Sequence, residues 1–484
     1  MSLSASLANA LSGLTTTSRR AEVVSSNVAN ALTKGYARRE LHVSPQSLGG
    51  TGAGVRIDGV TRSVNAALLA DRRLADADAG NAGLRTGFLS RIEGLIGTPE
   101  DDGSLASRLA QLEAALVEAA SRPDSQTRLQ GVVDSAARLT DHLHRLTAEV
   151  QQARIDADGG INREVETLNE SLRQIDRLNA EILSQRSSGR DAAALMDQRQ
   201  LLVDRVAAIV PVREVPRPHD QMSLFTIGGA ILLEGNPVEV GFAPVGIITA
   251  DMTIGSGALS GLTINGQPLA STDSGGLGGG TLGAMFAIRD DLAPQIQGQI
   301  DAFARDLIER FQTSAVDRTL GPGQPGLFTD AGAALDPMLE TGLAGRIDIN
   351  QLADPSQGGA LWRLRDGLGA AAPGNVGNAA LLTALGDALS QTRAPSSGAF
   401  IGAARSASGL AADLLSGIAA DRQGAEYRES YSVARQEALT ELQLADGVDT
   451  DAEMQTLLLI ERAYAANARV IKTIDELIQQ LIGL

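Results

Sequence analysis

Apolar residues recur every seven positions at both ends of this chain. Near the start, Leu7, Leu14, Ala21 and Val28 form one line, with Leu3, Ala10, Val24 and Ala31 offset from it. Near the finish, Leu457, Tyr464, Ile471 and Ile478 repeat the spacing, interleaved with Ile460, Ile474 and Leu481. A seven-residue apolar repeat keeps one narrow seam facing a partner helix. Two such seams can close on each other and still offer surface to neighbours. The pattern predicts a terminal coiled-coil unit, residues 1–45 with 441–484, of the kind that suits a subunit of a tubular assembly better than an enzyme.

Between the ends, Lys34-Gly35-Tyr36 closes the first helix and Gly49-Gly50-Thr51-Gly52-Ala53-Gly54 marks a loop. Residues 55–60 alternate briefly, as a short strand does. A helix is expected from about Ala66 to Ile96, ended near Gly97-Thr98-Pro99. Ser104 can cap the next one, whose Leu105, Leu109, Leu112 and Leu116 share a face. Helical spacing continues through Ala136, Leu139, Leu143, Leu146 and Val150. An interruption at Gly159-Gly160 predicts a second helix through Val165, Leu168, Leu172 and Ile175. From Pro211 to about residue 280 short alternating runs and the turn signals Glu234-Gly235-Asn236-Pro237 and Asn265-Gly266 read as an inserted β domain. Helix returns at Thr281, with a kink or break expected at Pro294. Residues 320–425 are the least regular, with helical pieces around 377–390 and 400–420 before helix resumes over 427–444. The expected fold is mainly α with a small inserted β domain: an elongated multidomain subunit with a helical rod over 46–210 and 281–440 and the insert over 211–280.

Composition narrows the function classes. The formal charge of −17 argues against a nucleic-acid partner, whose phosphates would be repelled. Absence of cysteine excludes disulfides and thiolate chemistry, and leaves a chain that can pass a narrow export channel unfolded. With aromatics at 3% and one tryptophan, Trp362, cores must be built from Leu, Ile, Val and Ala. No apolar run is long enough for membrane insertion, and the first residues lack the pattern of a cleavable secretory signal. Charge also differs between the ends. Residues 1–40 carry Arg19, Arg20, Lys34, Arg38 and Arg39 against Glu22 and Glu40, whereas residues 441–484 are predominantly acidic. Exposed pairs contribute only ~0–1 kcal/mol each, so this supports the pairing of the ends without deciding it.

No catalytic, cofactor-binding or metal-binding residues are assigned. His142 and His144 are two apart on a predicted helix and face different ways, while His42 and His219 have no ligand cluster nearby. The run Asp446 to Asp451 lacks the spacing and closing Glu of a calcium loop and reads as a helix cap. Gly275 to Gly280 lacks the Lys-Ser/Thr of a phosphate cradle and reads as a flexible return from the β domain.

Three segments carry a family resemblance. Ser26-Asn27-Val28-Ala29-Asn30-Ala31-Leu32-Thr33-Lys34-Gly35-Tyr36-Ala37-Arg38 resembles the N-terminal signature of flagellar rod, hook and hook-associated proteins, with Lys34 where that family usually has Pro. Gly447 to Met454 and Ala463 to Ile471 are similar to the matching C-terminal signature. Leu195-Met196-Asp197-Gln198-Arg199-Gln200-Leu201-Leu202-Val203-Asp204, with Gln200 where Asp is usual, lies between a long helical block and the β insert. That position resembles the hook-associated protein 1 family in particular. The resemblance implies a secreted structural subunit, exported by the flagellar type III apparatus and assembled as a ring at the hook–filament junction. Its implied neighbours are the hook protein and hook-associated protein 3, with a cytoplasmic chaperone on the C-terminal helix. The rivals are a hook or distal-rod subunit with a helical insertion, and an axial scaffold carrying an extracellular hydrolase. Assembly contacts are expected at Leu7, Leu14, Val24, Asn27, Val28, Asn30, Leu457, Tyr464, Asn467, Ile471, Ile478 and Leu481. Asn467 is a polar residue on the seam that fixes register, and Asn27 and Asn30 can satisfy backbone groups near a helix end.

Overall fold

The computed structural model describes residues 3–48, 51–273, 275–400 and 402–483. The chain begins with α1 (Leu3–Asn30), the strands β1 (Arg39–Leu48) and β2 (Thr51–Arg62), and the helices α2 (Ala66–Ile96), α3 (Leu105–Ser121), α4 (Gln126–Ser187) and α5 (Ala193–Ile209). A β-rich insert follows: β3 (Val212–Pro216), β4 (Met222–Thr226), β5 (Ile231–Glu234), β6 (Asn236–Pro237), β7 (Val240–Gly241), β8 (Leu262–Ile264) and β9 (Gln267–Leu269). Then come α6 (Gly280–Ala287), α7 (Ala293–Phe311), the pair β10 (Phe328–Asp330) and β11 (Ile347–Ile349), α8 (Arg363–Asp366), α9 (Ala380–Ser390), α10 (Ala407–Ala445) and α11 (Thr450–Ile482). Among the described residues no helix is long and apolar enough to cross a membrane.

The spine is α4, whose 62 residues at ~1.5 Å rise extend about 93 Å. Its first half shares one apolar core with α2, α3, α7, α9 and α10, which includes Leu139, Leu146, Phe303, Phe311 and Leu414. Its second half packs on α5, α6 and the insert in another, around Ile161, Leu172, Val206, Leu224 and Phe286. The insert consists of two small antiparallel sheets, ordered β3-β4-β5-β6 and β7-β8-β9. The turns expected from Gly235 and from Asn265-Gly266 close β5-β6 and β8-β9, with positive φ at all three residues.

Several sequence expectations change. Gly159-Gly160 does not interrupt the helix. A Cβ on Gly160 would lie 2.6 Å from the Met285 sulfur, so glycine there admits α6 against α4. The short strand at 55–60 is part of a long antiparallel hairpin of β1 and β2, shifted in register at His42/Val43 and Pro45/Ser47. Of the expected glycine loop, Gly49 and Gly50 lie outside the described residues, and Thr51 to Gly54 are strand. Helix does not restart at 427. It runs unbroken from Ala407, because Leu410, Leu414, Ile418 and Ala425 are buried in the first core and outweigh the low propensity of Gly409, Gly417 and Gly424. The break expected at Pro294 is a π-helical turn over Ile288–Leu292 in an otherwise continuous helix, and the Arg289 carbonyl within that turn accepts from Arg154 Nε at 2.9 Å.

Candidate assembly site

The two ends pair as antiparallel helical neighbours only in part through apolar contact. Along α11, Ile460 and Ile474 are buried and Leu457, Asn467, Ile471 and Ile478 are half-buried, which reproduces the expected seam. Tyr464 and Leu481 depart from it, at 45% and 62% exposure. On α1, Val24 and Asn27 are buried, Leu14, Val28 and Asn30 are half-buried, and Leu7 is exposed. Asn467 lies against Gly13, where a Cβ would come within 2.9 Å of its amide atoms, so the register contact needs both residues. The buried Thr16 and Thr17 return their hydroxyls to the carbonyls of Ser12 and Gly13 one turn back, which lets polar residues occupy the buried face. The other side of α1 holds the hairpin: Ser12 Oγ accepts from the Val55 backbone N–H at 3.2 Å.

At the base of this pair the three signature segments meet. Asn27, 1% exposed, accepts at Oδ1 from Tyr36 Oη (2.8 Å) and from the Arg39 backbone N–H (3.0 Å). Its Nδ2 donates to the Arg39 carbonyl and to Glu453 Oε1, both at 3.0 Å. Glu453, 4% exposed in the first turn of α11, also accepts from Arg38 Nε at 2.8 Å. A carboxylate there is further favoured by the helix dipole. The Arg38 guanidinium is raised above its ordinary value, chiefly by that bond to Glu453. Among the described residues this is the one ion pair joining 1–40 to 441–484, so the charge difference between the ends acts through a single contact.

The hairpin then ties this knot to the rod. Arg39 and Arg62 stand directly opposite each other across β1 and β2. Like charges in that position repel, and Asp197 of α5 lies between them, 3.4 Å from Arg39 and 2.7 Å from Arg62. Tyr36 stacks under the Arg39 guanidinium, 5.0 Å from its ring centre. Gly35, at φ 83°, brings the backbone against Leu201 of α5, whose Cδ2 would be 2.6 Å from a Cβ there. Further along α5, Asp204 binds Arg72 and Arg73 of α2, each at 2.6 Å, and Arg73 also reaches Glu214 and the Gln200 side chain. Burial lowers the Arg73 guanidinium against the pull of Asp204.

Sequence reasoning placed Asn27 and Asn30 at a helix end for backbone satisfaction. Asn27 does this, and Asn30 Nδ2 donates to the Ser26 carbonyl at 2.8 Å. It missed Tyr36, Arg38, Arg39, Arg62, Asp197 and Glu453 as contact residues. All but Arg62 stand inside or beside the signature segments, and that was the available signal. The acidic run at 446–451 caps α11 through Asp449, which accepts from the Asp451 and Ala452 N–H groups. His142 and His144 have separate neighbours, Arg145 and the Ile347 carbonyl.

Known proteins resemble this chain in the same three places. A model of the flagellar hook-associated protein FlgK helical domain matches residues 89–323, one of the flagellar basal body rod FlgEFG protein C-terminal region matches 445–484, and one of the flagella basal body rod protein matches 7–36. Flagellar hook-associated protein 1 of Bacillus subtilis is 22% identical over 497 residues, covering 94% of this chain and 93% of that protein. Its namesakes in Escherichia coli and Salmonella typhimurium are 22% and 25% identical, over 48% of this chain and 44% and 43% of theirs. Among solved structures, the flagellar hook junction protein FlgK from Burkholderia pseudomallei matches at 20% identity and a TM-score of 0.45, over 54% of this chain and 47% of that one. Rod-type signatures at both ends around a helical domain define a structural subunit of the bacterial flagellar axis. Within that class its matches are to flagellar hook-associated protein 1 and to the FlgK helical domain, the latter over just under half of the chain.

Proposed function

We propose that this hook-associated subunit forms a ring at the hook–filament junction and adapts one helical lattice to the other. The knot of Asn27, Arg38, Arg39, Glu453 and Asp197 carries this reading, because it fixes the paired ends on the rod. Three units follow: the terminal pair over 1–45 and 441–484, the rod over 46–210 and 281–440, and the insert over 211–280. The terminal pair contacts neighbouring copies and the hook protein, and hook-associated protein 3 follows outward. A cytoplasmic chaperone covers α11 before type III export. The match of a FlgK helical domain over 89–323 favours this over a hook or distal-rod subunit.

Exposed apolar residues support the terminal contact. Leu459 and Leu477 of α11 are 64% and 42% exposed, Leu459 on the open groove that Arg20, Val23 and Val24 of α1 also line. Leu459→Asp with Leu477→Asp should leave the purified monomer's thermal transition unchanged and the protein exported. The strain should make hooks without filaments and shed unassembled flagellin. Normal filaments in that strain would refute the reading.

A further inference from the structure

A cleft of about 420 Å³ opens where the loop between α2 and α3 crosses α4, far in sequence from either terminus. Gly94, Gly97 and Gly103 line one wall together with Leu95, Asp101 and Ser104. Arg108 of α3 and Arg145 and His142 of α4 make the opposite wall. Among the described residues neither Arg108 nor Arg145 has an ion-pair partner, nor does Arg138 nearby. Arg108 Nε donates only to the Gly103 carbonyl at 3.1 Å, and Arg138 to Ser135 Oγ. No carboxylate of this surface forms an ion pair with them: Asp101 accepts from the Thr98 backbone and hydroxyl, Glu100 and Asp102 are exposed, and exposed Asp141 acts on Arg108 only through its charge.

His142 makes the deficit specific. It is 4% exposed, and its Nδ1 lies 3.2 Å from Arg145 Nη2. A guanidinium only donates, so Nδ1 accepts and the ring's proton is on Nε2. That Nε2 has no hydrogen-bond partner. Burial first, then Arg145 and Arg108, pull the ring down to about 4, so it is neutral at physiological pH. Around the cleft two guanidinium groups have no ion-pair partner and a buried imidazole N–H has no acceptor, while Asp101, the carboxylate among the lining residues, is engaged by Thr98. Buried donors left in this state cost free energy that a bound acceptor removes.

We propose that this cleft is a seat for a small oxyanion, a phosphate or carboxylate group, held by Arg108 and Arg145 with His142 Nε2 as a third donor. Arginine forks match both anions. The occupant would neutralise the arginine cluster and pin residues 97–104 onto α4.

The test is an NMR titration of the His142 ring in the full-length monomer at low chloride, with inorganic phosphate in one arm and acetate in the other. Saturable movement of the Nε2 signal in the phosphate arm, with a rise in the ring's protonation midpoint, is expected. Saturation by acetate as well assigns the seat to carboxylates too, and so to an acidic side chain from a neighbouring molecule as a source. Arg108→Gln and Arg145→Gln, at surface positions that leave the core intact, should each weaken binding by at least about tenfold. A His142 ring indifferent to both anions, or variants that bind as tightly as the unsubstituted protein, overturns the proposal.

Discussion

Glu453 offers the sharpest perturbation, because its two hydrogen bonds end on the same oxygen. Asn27 Nδ2 and Arg38 Nε both donate to Oε1. Glu453→Gln can keep that oxygen in place and remove only the charge. The Arg38 side chain is 40% exposed and also binds Glu40 at 2.9 Å, so the lost attraction is screened and partly replaced. A loss of about 0.5–1 kcal/mol is expected. Glu453→Ala removes both contacts. Asn27 Nδ2 keeps the Arg39 carbonyl and is not orphaned. Each hydrogen bond to a charged group contributes ~1.5–3 kcal/mol, and discounting the one to exposed Arg38 gives about 2–3 kcal/mol in all. The assay is native-state hydrogen exchange of α1 and α11, with a thermal melt for the rod. Alanine should accelerate terminal exchange far more than glutamine, and neither should move the rod transition. Equal effects of the two substitutions would show that charge and not geometry holds the joint. A lowered rod melt with unchanged terminal exchange would sink the reasoning altogether.

Two further outcomes follow from buried ionisable groups. Asp158 and Arg289 are fully buried where the two cores meet; Asp158 also accepts from the Val245 N–H, and Arg289 from its other nitrogens binds Asp290 and the Ser260 carbonyl. Asp158→Ala should cost about 3 kcal/mol, the low end for a broken buried pair because Asp290 remains, and Asp158→Leu with Arg289→Met should recover part of it in denaturant titrations. His142 is neutral in the fold down to about pH 4, whereas the unfolded chain takes up its proton near 6.5. Its contribution is thus fully present above pH 6.5 and is lost as pH falls toward 4, on the order of 2 kcal/mol after screening by nearby solvent. His142→Phe should flatten that part of the stability–pH curve, and an unchanged slope would refute it.

Much of the helical framework was legible because period and caps agree. The limits Ala66 to Ile96 were read closely from apolar spacing, and Ser104 caps α3 by accepting from the Ser107 N–H. What escaped depends on tertiary context. Gly160 reads equally as a break or as a close approach, and only Met285 decides between them. The β1–β2 hairpin hides its period-two alternation behind register shifts and Pro45. The site was half legible. The signature segments were visible, but Arg39 finds Asp197 across 158 residues and Arg38 finds Glu453 across 415, and no local pattern encodes such pairings.

Polar residues sit at this joint for a physical reason. Apolar burial between the ends is thin, resting on Ala10, Val23, Val24, Ile460 and Ile474, which belong to neither main core. Burial of that kind is non-directional and fixes neither tilt nor rotation of the pair on the rod. Charge-assisted hydrogen bonds have direction. Arg38 and Arg39 are adjacent where the chain becomes extended, and successive side chains on extended backbone point to opposite sides. One turns to Glu453 on α11 and the other to Asp197 on α5. Two neighbouring arginines thus set the terminal pair against the rod, and the proposed adaptor role requires that angle to be held.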